Sequence, residues 1–146
     1  MSLPSLSSET VHTSCVAIGG RAVLIGGRSG RGKSDLALRL IDRGAELVSD
    51  DYTFVKRVGG ALIASAPDTI AGKLEVRGVG ILEYPPAREV PVALFVDLDA
   101  EAERLPQAGE TRMVAGVALP VIGLGALEPS APIKVEAAVR LHGLDG

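Results

Sequence analysis

The chain has 146 residues, with 15 basic side chains against 18 acidic ones and a net charge of −3. That length predicts one domain, and a hydrophobic content of 47% supports a real core, which excludes a disordered chain. The acidic balance excludes generic nucleic-acid binding, no apolar run approaches the ~20 residues of a membrane span, and the lone Cys15 excludes an internal disulfide or a Cys/His zinc cluster.

Residues 1–10 lack the basic and apolar regions of a signal peptide. They are expected to be a disordered leader to a folded domain over residues 11–146, in a reducing, cytoplasmic setting. Val11–Ile18 and Arg21–Ile25 are β-prone runs separated by Gly19-Gly20, a strong hairpin signal because both turn residues can take positive φ. If Ile18 pairs with Arg21, His12 falls opposite Gly27. A glycine-rich loop over 26–32 then leads into a helix over about Lys33–Arg43, with Leu36/Leu40 and Ala37/Ile41 as i,i+4 apolar pairs and Gly44 at its C-terminal end. Glu46–Ser49 reads as a short strand running into Asp50-Asp51. Tyr52–Arg57 and Ala61–Ala64 read as a second hairpin around Gly59-Gly60. Leu74–Leu82, broken by Gly78 and Gly80, reads as bent strand or turn. Val92–Val96 predicts a buried strand followed by Asp97 and Asp99, and Ala100–Gly109 a polar loop. Val117–Ile122 predicts a strand, Leu124–Pro132 a loop and Ile133–Leu141 a helix. The sum is one α/β domain.

Gly27-Arg28-Ser29-Gly30-Arg31-Gly32-Lys33-Ser34 fits the P-loop pattern G-x-x-x-x-G-K-[ST], and it lies after a strand and at the start of a helix, as that pattern requires. Glycines let backbone N–H groups converge on phosphate oxygens, and the helix N-terminus adds partial positive charge. Lys33 can then reach the β/γ-phosphates and Ser34 can ligate Mg²⁺. Arg28 and Arg31 are sensible beside polyphosphate. Asp50-Asp51 sits at the carboxyl end of the next strand, where ligands bind in open α/β sheets. One carboxylate could hold Mg²⁺ and the other accept a proton from an attacking hydroxyl; a solvated turn is the bland alternative. His12 could orient a carboxylate, although a lone histidine is more often a packed or surface residue. Glu75 alternates with Arg77 on one strand face, either as an ion pair or as an oxygen ligand for magnesium. The strand feeding the loop should pair antiparallel with its predecessor, unlike the parallel neighbours of ordinary P-loop enzymes.

Together, the histidine before a Gly-Gly hairpin, the loop GRSGRGKSD, VSDD after a helix ending in RG, LEVRGVGIL and IKVEAAVRL resemble the catalytic domain of bacterial HPr kinase/phosphorylase. The resemblance implies a P-loop domain with a mixed sheet and a β-hairpin before the loop, similar to the nucleotide-binding core of phosphoenolpyruvate carboxykinase. It implies ATP and Mg²⁺ as cofactors, HPr as the protein whose serine is phosphorylated, and a hexamer. It makes Asp51 the catalytic base, His12 its assistant, Lys33 the phosphate contact, and Gly27, Arg28, Ser29, Gly30, Arg31, Gly32, Lys33 and Ser34 the nucleotide loop. Ser34 and Glu75 become its magnesium ligands, and Asp50, from the reading of the Asp pair above, joins them on the metal side. The chain would be a short form without the additional N-terminal domain that many members carry. It departs from the family at Leu124–Pro132, which holds no arginine where members have a basic segment associated with the reverse, phosphate-dependent reaction. Two other readings remain open on the residues alone: a Mg-nucleotide- or phosphate-sensing module without turnover, and a small-molecule kinase.

Overall fold

The computed structural model describes residues 7–100 and 110–145. It opens with strand β1 (Ser8–Val11), then β2 (Thr13–Ile18) and β3 (Arg21–Gly26). Gly19 and Gly20 turn the chain with φ of 58° and 81°, the left-handed pair that a two-residue hairpin needs. Ile18 pairs with Arg21 and the register runs unbroken to Thr13 opposite Gly26. The pairing ends there, and His12 lies one residue beyond it, in the bend between β1 and β2. Helix α1 (Lys33–Asp42) follows the loop. It closes in a Schellman motif: Gly44, at φ 110°, donates to Ile41 O, and Ala45 N–H reaches back to Leu40 O.

Strands β4 (Glu46–Ser49), β5 (Thr53–Val58), β6 (Ala61–Ser65), β7 (Lys73–Val76), β8 (Gly80–Glu83), β9 (Val90–Asp97), β10 (Thr111–Val114) and β11 (Val117–Gly123) come next, and helix α2 (Ala131–His142) ends the fold. The path across the main sheet is β1-β5-β6-β9-β3-β2-β4. One edge of β9 pairs parallel with β3. Its other edge pairs antiparallel with β6 at Val90 and Pro91 and parallel with β11 from Phe95 to Asp97. The sheet is thus mixed, and it splits at β9 into two arms.

Alternation along the central strands builds two cores. Val16, Val23, Ile25, Leu94 and Val96 face Leu36, Ala37 and Leu40 of α1 and Val135 and Val139 of α2. Cys15, Ala17, Leu24, Val92 and Phe95 face the opposite way, onto Val55, Leu62, Val114 and Leu119 of the two arms. The helices therefore cover one side and the curled sheet covers itself on the other, which leaves the carboxyl ends of β3 and β4 open at the rim.

Several local expectations change. Residues 8–10, expected in the leader, form β1, which pairs with β5; residues 1–6 lie outside the described residues, as do 101–109 of the expected polar loop. Of the two readings of Leu74–Leu82, the turn holds and the single bent strand does not: the segment lies in the β7–β8 hairpin, a small sheet of its own, because Gly78 at φ 82° and Gly80 at φ 138° permit the turn closed by Val79 N–H to Val76 O. β10 was not anticipated. Helix α2 begins two residues early, with Pro132 in its first turn, where a missing N–H costs nothing.

Gly72, at the foot of the β7–β8 hairpin, has φ +77°, and a Cβ there would stand 2.6 Å from the backbone oxygen of Tyr84. Its own carbonyl accepts from Tyr84 N–H. Gly72→Ala is expected to cost about 1–3 kcal/mol, since left-handed strain and a backbone clash add. Gly78→Ala, with nothing within 4 Å of its Cβ, should carry the strain alone. Thermal unfolding of the two variants side by side checks this, and equal losses would contradict it.

Candidate active site

The loop between β3 and α1 is shaped by its glycines. Gly27, Gly30 and Gly32 have φ of 157°, 85° and 93°. A Cβ on Gly32 would press within 3.1 Å of Ala126, and one on Gly27 would reach 3.0 Å from the Leu98 Cβ. Lys33 is only 6% exposed; its Nζ folds back to donate to Gly27 O at 2.7 Å. The ammonium thus spans the loop from within. Ser34, one position on, donates its hydroxyl to Asp50 Oδ1 at 2.6 Å.

Asp50 and Asp51 follow the last residue of β4 and share a tight turn. Tyr52 N–H reaches Asp50 O, the Ser49 hydroxyl donates to Tyr52 O, and Asp51 takes the left-handed φ of 67°. Ser14 Oγ donates to Asp50 Oδ1 at 2.9 Å and accepts from Asp51 N–H at 3.1 Å. Glu75 N–H donates to Asp50 Oδ2 at 3.3 Å. His12 Nε2 lies 3.0 Å from Asp51 Oδ1, and its ring stacks on Tyr52 at 5.0 Å between centroids. An ionised carboxylate only accepts, so the bond places the imidazole proton on Nε2.

A cleft of about 470 Å³ is lined by Lys33, Ser34, Asp50, Asp51, Glu75 and Arg77, together with Ser29, Gly30 and Leu127. The lining brings the nearly buried Lys33 ammonium together with the carboxylates of Asp35, Asp50, Asp51 and Glu75. A polyphosphate placed here has the loop amides and Lys33 on one side; the carboxylate side calls for a cation to bridge it. The donors on that side, Ser34 Oγ, Asp50 and Glu75, are hard oxygens. Among the described residues no group of three or more His, Cys, Asp or Glu side chains converges on a metal position. Hard oxygen donors suit magnesium, which takes one or two carboxylates and completes its shell with water and phosphate.

Arg28 and Arg31, expected beside polyphosphate, turn elsewhere. Arg28 N–H and Nε meet Asp99 at 3.0 and 3.3 Å, and Arg31 Nε meets the same carboxylate at 3.1 Å. Asp99 follows β9, the parallel neighbour of β3, so the sheet delivers it beside the loop. Cys15, behind the cleft, is fully buried, and that burial pushes its thiol far above the ordinary range. It is a core residue, not a nucleophile.

Residues 5–87 match the model of the family described as HPr Serine kinase C-terminal domain, which is more than half of the chain. The chain belongs to that family. The HPr kinase C-terminal match contains every candidate site residue from His12 to Glu75. HPr kinase/phosphorylase of Clostridium tetani is 48% identical over 81 residues, covering 55% of this chain and 27% of that protein. The Cupriavidus necator HPr kinase/phosphorylase is 37% identical over 154 aligned residues, covering 93% of this chain and 48% of the relative. The chain therefore spans about half, or less, of the length of the curated relatives it matches. The solved Hpr(Ser) kinase/phosphatase of Coxiella burnetii superposes with a TM-score of 0.78 at 31% identity, covering 92% of this chain and 95% of that one.

Within this HPr kinase C-terminal fold, three residues at the site escape the sequence reading: Ser14, Tyr52 and Asp99. Ser14 could have been found, because the hairpin register pairs it with Ile25, near the end of the strand that feeds the loop. Asp99 needed the parallel pairing of β9 with β3, which no local pattern announces.

Proposed function

We propose that this chain is a protein-serine kinase that transfers the γ-phosphoryl group of Mg-ATP to a serine hydroxyl of HPr. The observation that carries the reading is the Asp51 carboxylate, bonded to His12 and lining one cleft with Lys33 and Ser34 of the P-loop. When bound, Mg-ATP supplies the phosphoryl group and the cation that offsets its charge. Lys33 gives up the Gly27 carbonyl for phosphate oxygens, while the loop N–H groups and the start of α1 hold the rest of the polyphosphate. Ser34 and Asp50 would hold the magnesium, with Glu75 facing them. Asp51 keeps Oδ1 on His12 and accepts the serine proton on its second oxygen as the serine oxygen bonds to phosphorus and the β–γ bridge breaks to release ADP. His12 is a positioning residue: it keeps that carboxylate turned to the cleft. Family resemblance extends the reading to a cytoplasmic hexamer. Among the described residues no helix is long and apolar enough to cross a membrane.

Intact-mass spectrometry of HPr incubated with this protein, ATP and Mg²⁺ tests the proposal. One added phosphoryl group on a serine, lost with Lys33→Ala, is the expected result; inorganic phosphate then tests reversal. Unmodified HPr beside a protein that still binds ATP would overturn the kinase reading in favour of a nucleotide-sensing module.

A further inference from the structure

Ser14 is fully buried on β2, and the phosphoryl transfer described above makes no use of it. Its hydroxyl has one proton and two lone pairs. The proton goes to Asp50 Oδ1 at 2.9 Å, and a lone pair receives Asp51 N–H at 3.1 Å. One atom is thus bonded to both acidic residues: the side chain of one and the backbone of the other. Each bond matters for a separate reason. Asp50 Oδ1 also takes the Ser34 hydroxyl at 2.6 Å, so Ser14 and Ser34 grip the carboxylate between them and set which way its second oxygen faces. Asp51 holds φ 67°, a sparsely populated region that aspartate visits more readily than most residues but that its surroundings must still select. The Ser14 acceptor is one of those constraints. His12 on the Asp51 carboxylate is another, and it comes from the same stretch of chain.

We propose that Ser14 is a positioning residue that ties Asp50, on the cation side of the cleft, to the backbone of Asp51, on the proton-accepting side, so that the two are set as one unit. The inference rests on the kinase reading for the roles of the two aspartates, but its geometry does not depend on HPr. Removing the hydroxyl frees the Asp50 carboxylate to rotate and leaves the Asp51 N–H without its acceptor. Loss of an outer partner of this kind typically costs about 10–100-fold in metal affinity or activity.

The test is a Mg²⁺ titration of the binding of a fluorescent ATP analogue, run beside HPr phosphorylation, for the wild type, Ser14→Ala and Ser14→Cys. In Ser14→Ala the Mg²⁺ midpoint is expected to rise about tenfold, with nucleotide affinity in EDTA unchanged and kcat lowered more than the KM for ATP is raised. Ser14→Cys fills the same space with a poor donor, so it should follow Ser14→Ala; it also serves if the alanine variant does not fold. A wild-type Mg²⁺ midpoint in either variant overturns the proposal, since the cysteine result would then reduce Ser14 to packing. If the wild type binds Mg-nucleotide but leaves HPr unmodified, the kinase reading fails, and the Mg²⁺ titration still judges Ser14.

Discussion

Asp51→Asn is expected to lower kcat for HPr phosphorylation by about 10²–10⁴-fold, the range that a positioned general base contributes, while nucleotide affinity changes little. The substitution is well suited to isolate the proton-accepting role. Asparagine has the same shape as aspartate, and it is enriched among the non-glycine residues that adopt positive φ, so the turn with Asp51 at φ 67° survives. Its side-chain oxygen can still receive His12 Nε2–H, the contact now made at 3.0 Å. Lys33, Ser34 and the loop are untouched. What is lost is a group able to take the serine proton. The check is an initial-rate measurement with HPr alongside a binding titration with the ATP analogue. A variant that turns over at the wild-type rate would remove Asp51 as the base, and one that loses nucleotide binding would show that its role lies in holding the cleft together.

Local chemistry made much of this site legible. The P-loop and the Asp pair are contiguous motifs, and the Gly19-Gly20 turn fixes the register of β2 against β3 up to Thr13, the neighbour of His12. The apolar strands β3 and β9 were readable because burial on both faces leaves near-continuous hydrophobic runs. Strands β1 and β10 were not. Their residues are largely exposed, and they exist because a distant partner, β5 or β11, offers an edge to pair with. The same limit explains Arg28 and Arg31. Their spacing in the loop points to phosphate, but the carboxylate they bracket comes from Asp99, 71 residues further along the chain for Arg28. Sequence proximity recorded the charge and not its partner. Ser14 shows the converse: its position was implied by the register, but a serine inside a strand carries no signal that its hydroxyl is buried and doubly bonded.

The second large effect falls on stability and separates the two ends of α1. Leu40 is fully buried in the cluster that joins α1 to the central strands and α2, so Leu40→Ala is expected to cost about 2–5 kcal/mol through lost transfer energy and a residual cavity. At roughly 2–4 °C per kcal/mol for a domain of this size, Tm should fall by about 4–20 °C. The first turn of the same helix is held differently, by the Ser34 hydroxyl on Asp50 and by Lys33 across the loop. A ligand that binds only the folded state adds about 2.7 kcal/mol at a hundredfold excess over its Kd. Mg-ATP should therefore raise the Tm of Leu40→Ala by the same several degrees as it does the wild type, from a lower starting point. Lys33→Ala should show the opposite pattern, a near-normal Tm with little nucleotide-dependent rise. Paired thermal melts with and without Mg-ATP read both. If Leu40→Ala loses the nucleotide shift along with its stability, the loop geometry depends on the packing beneath α1 and the two ends of the helix cannot be treated as independent.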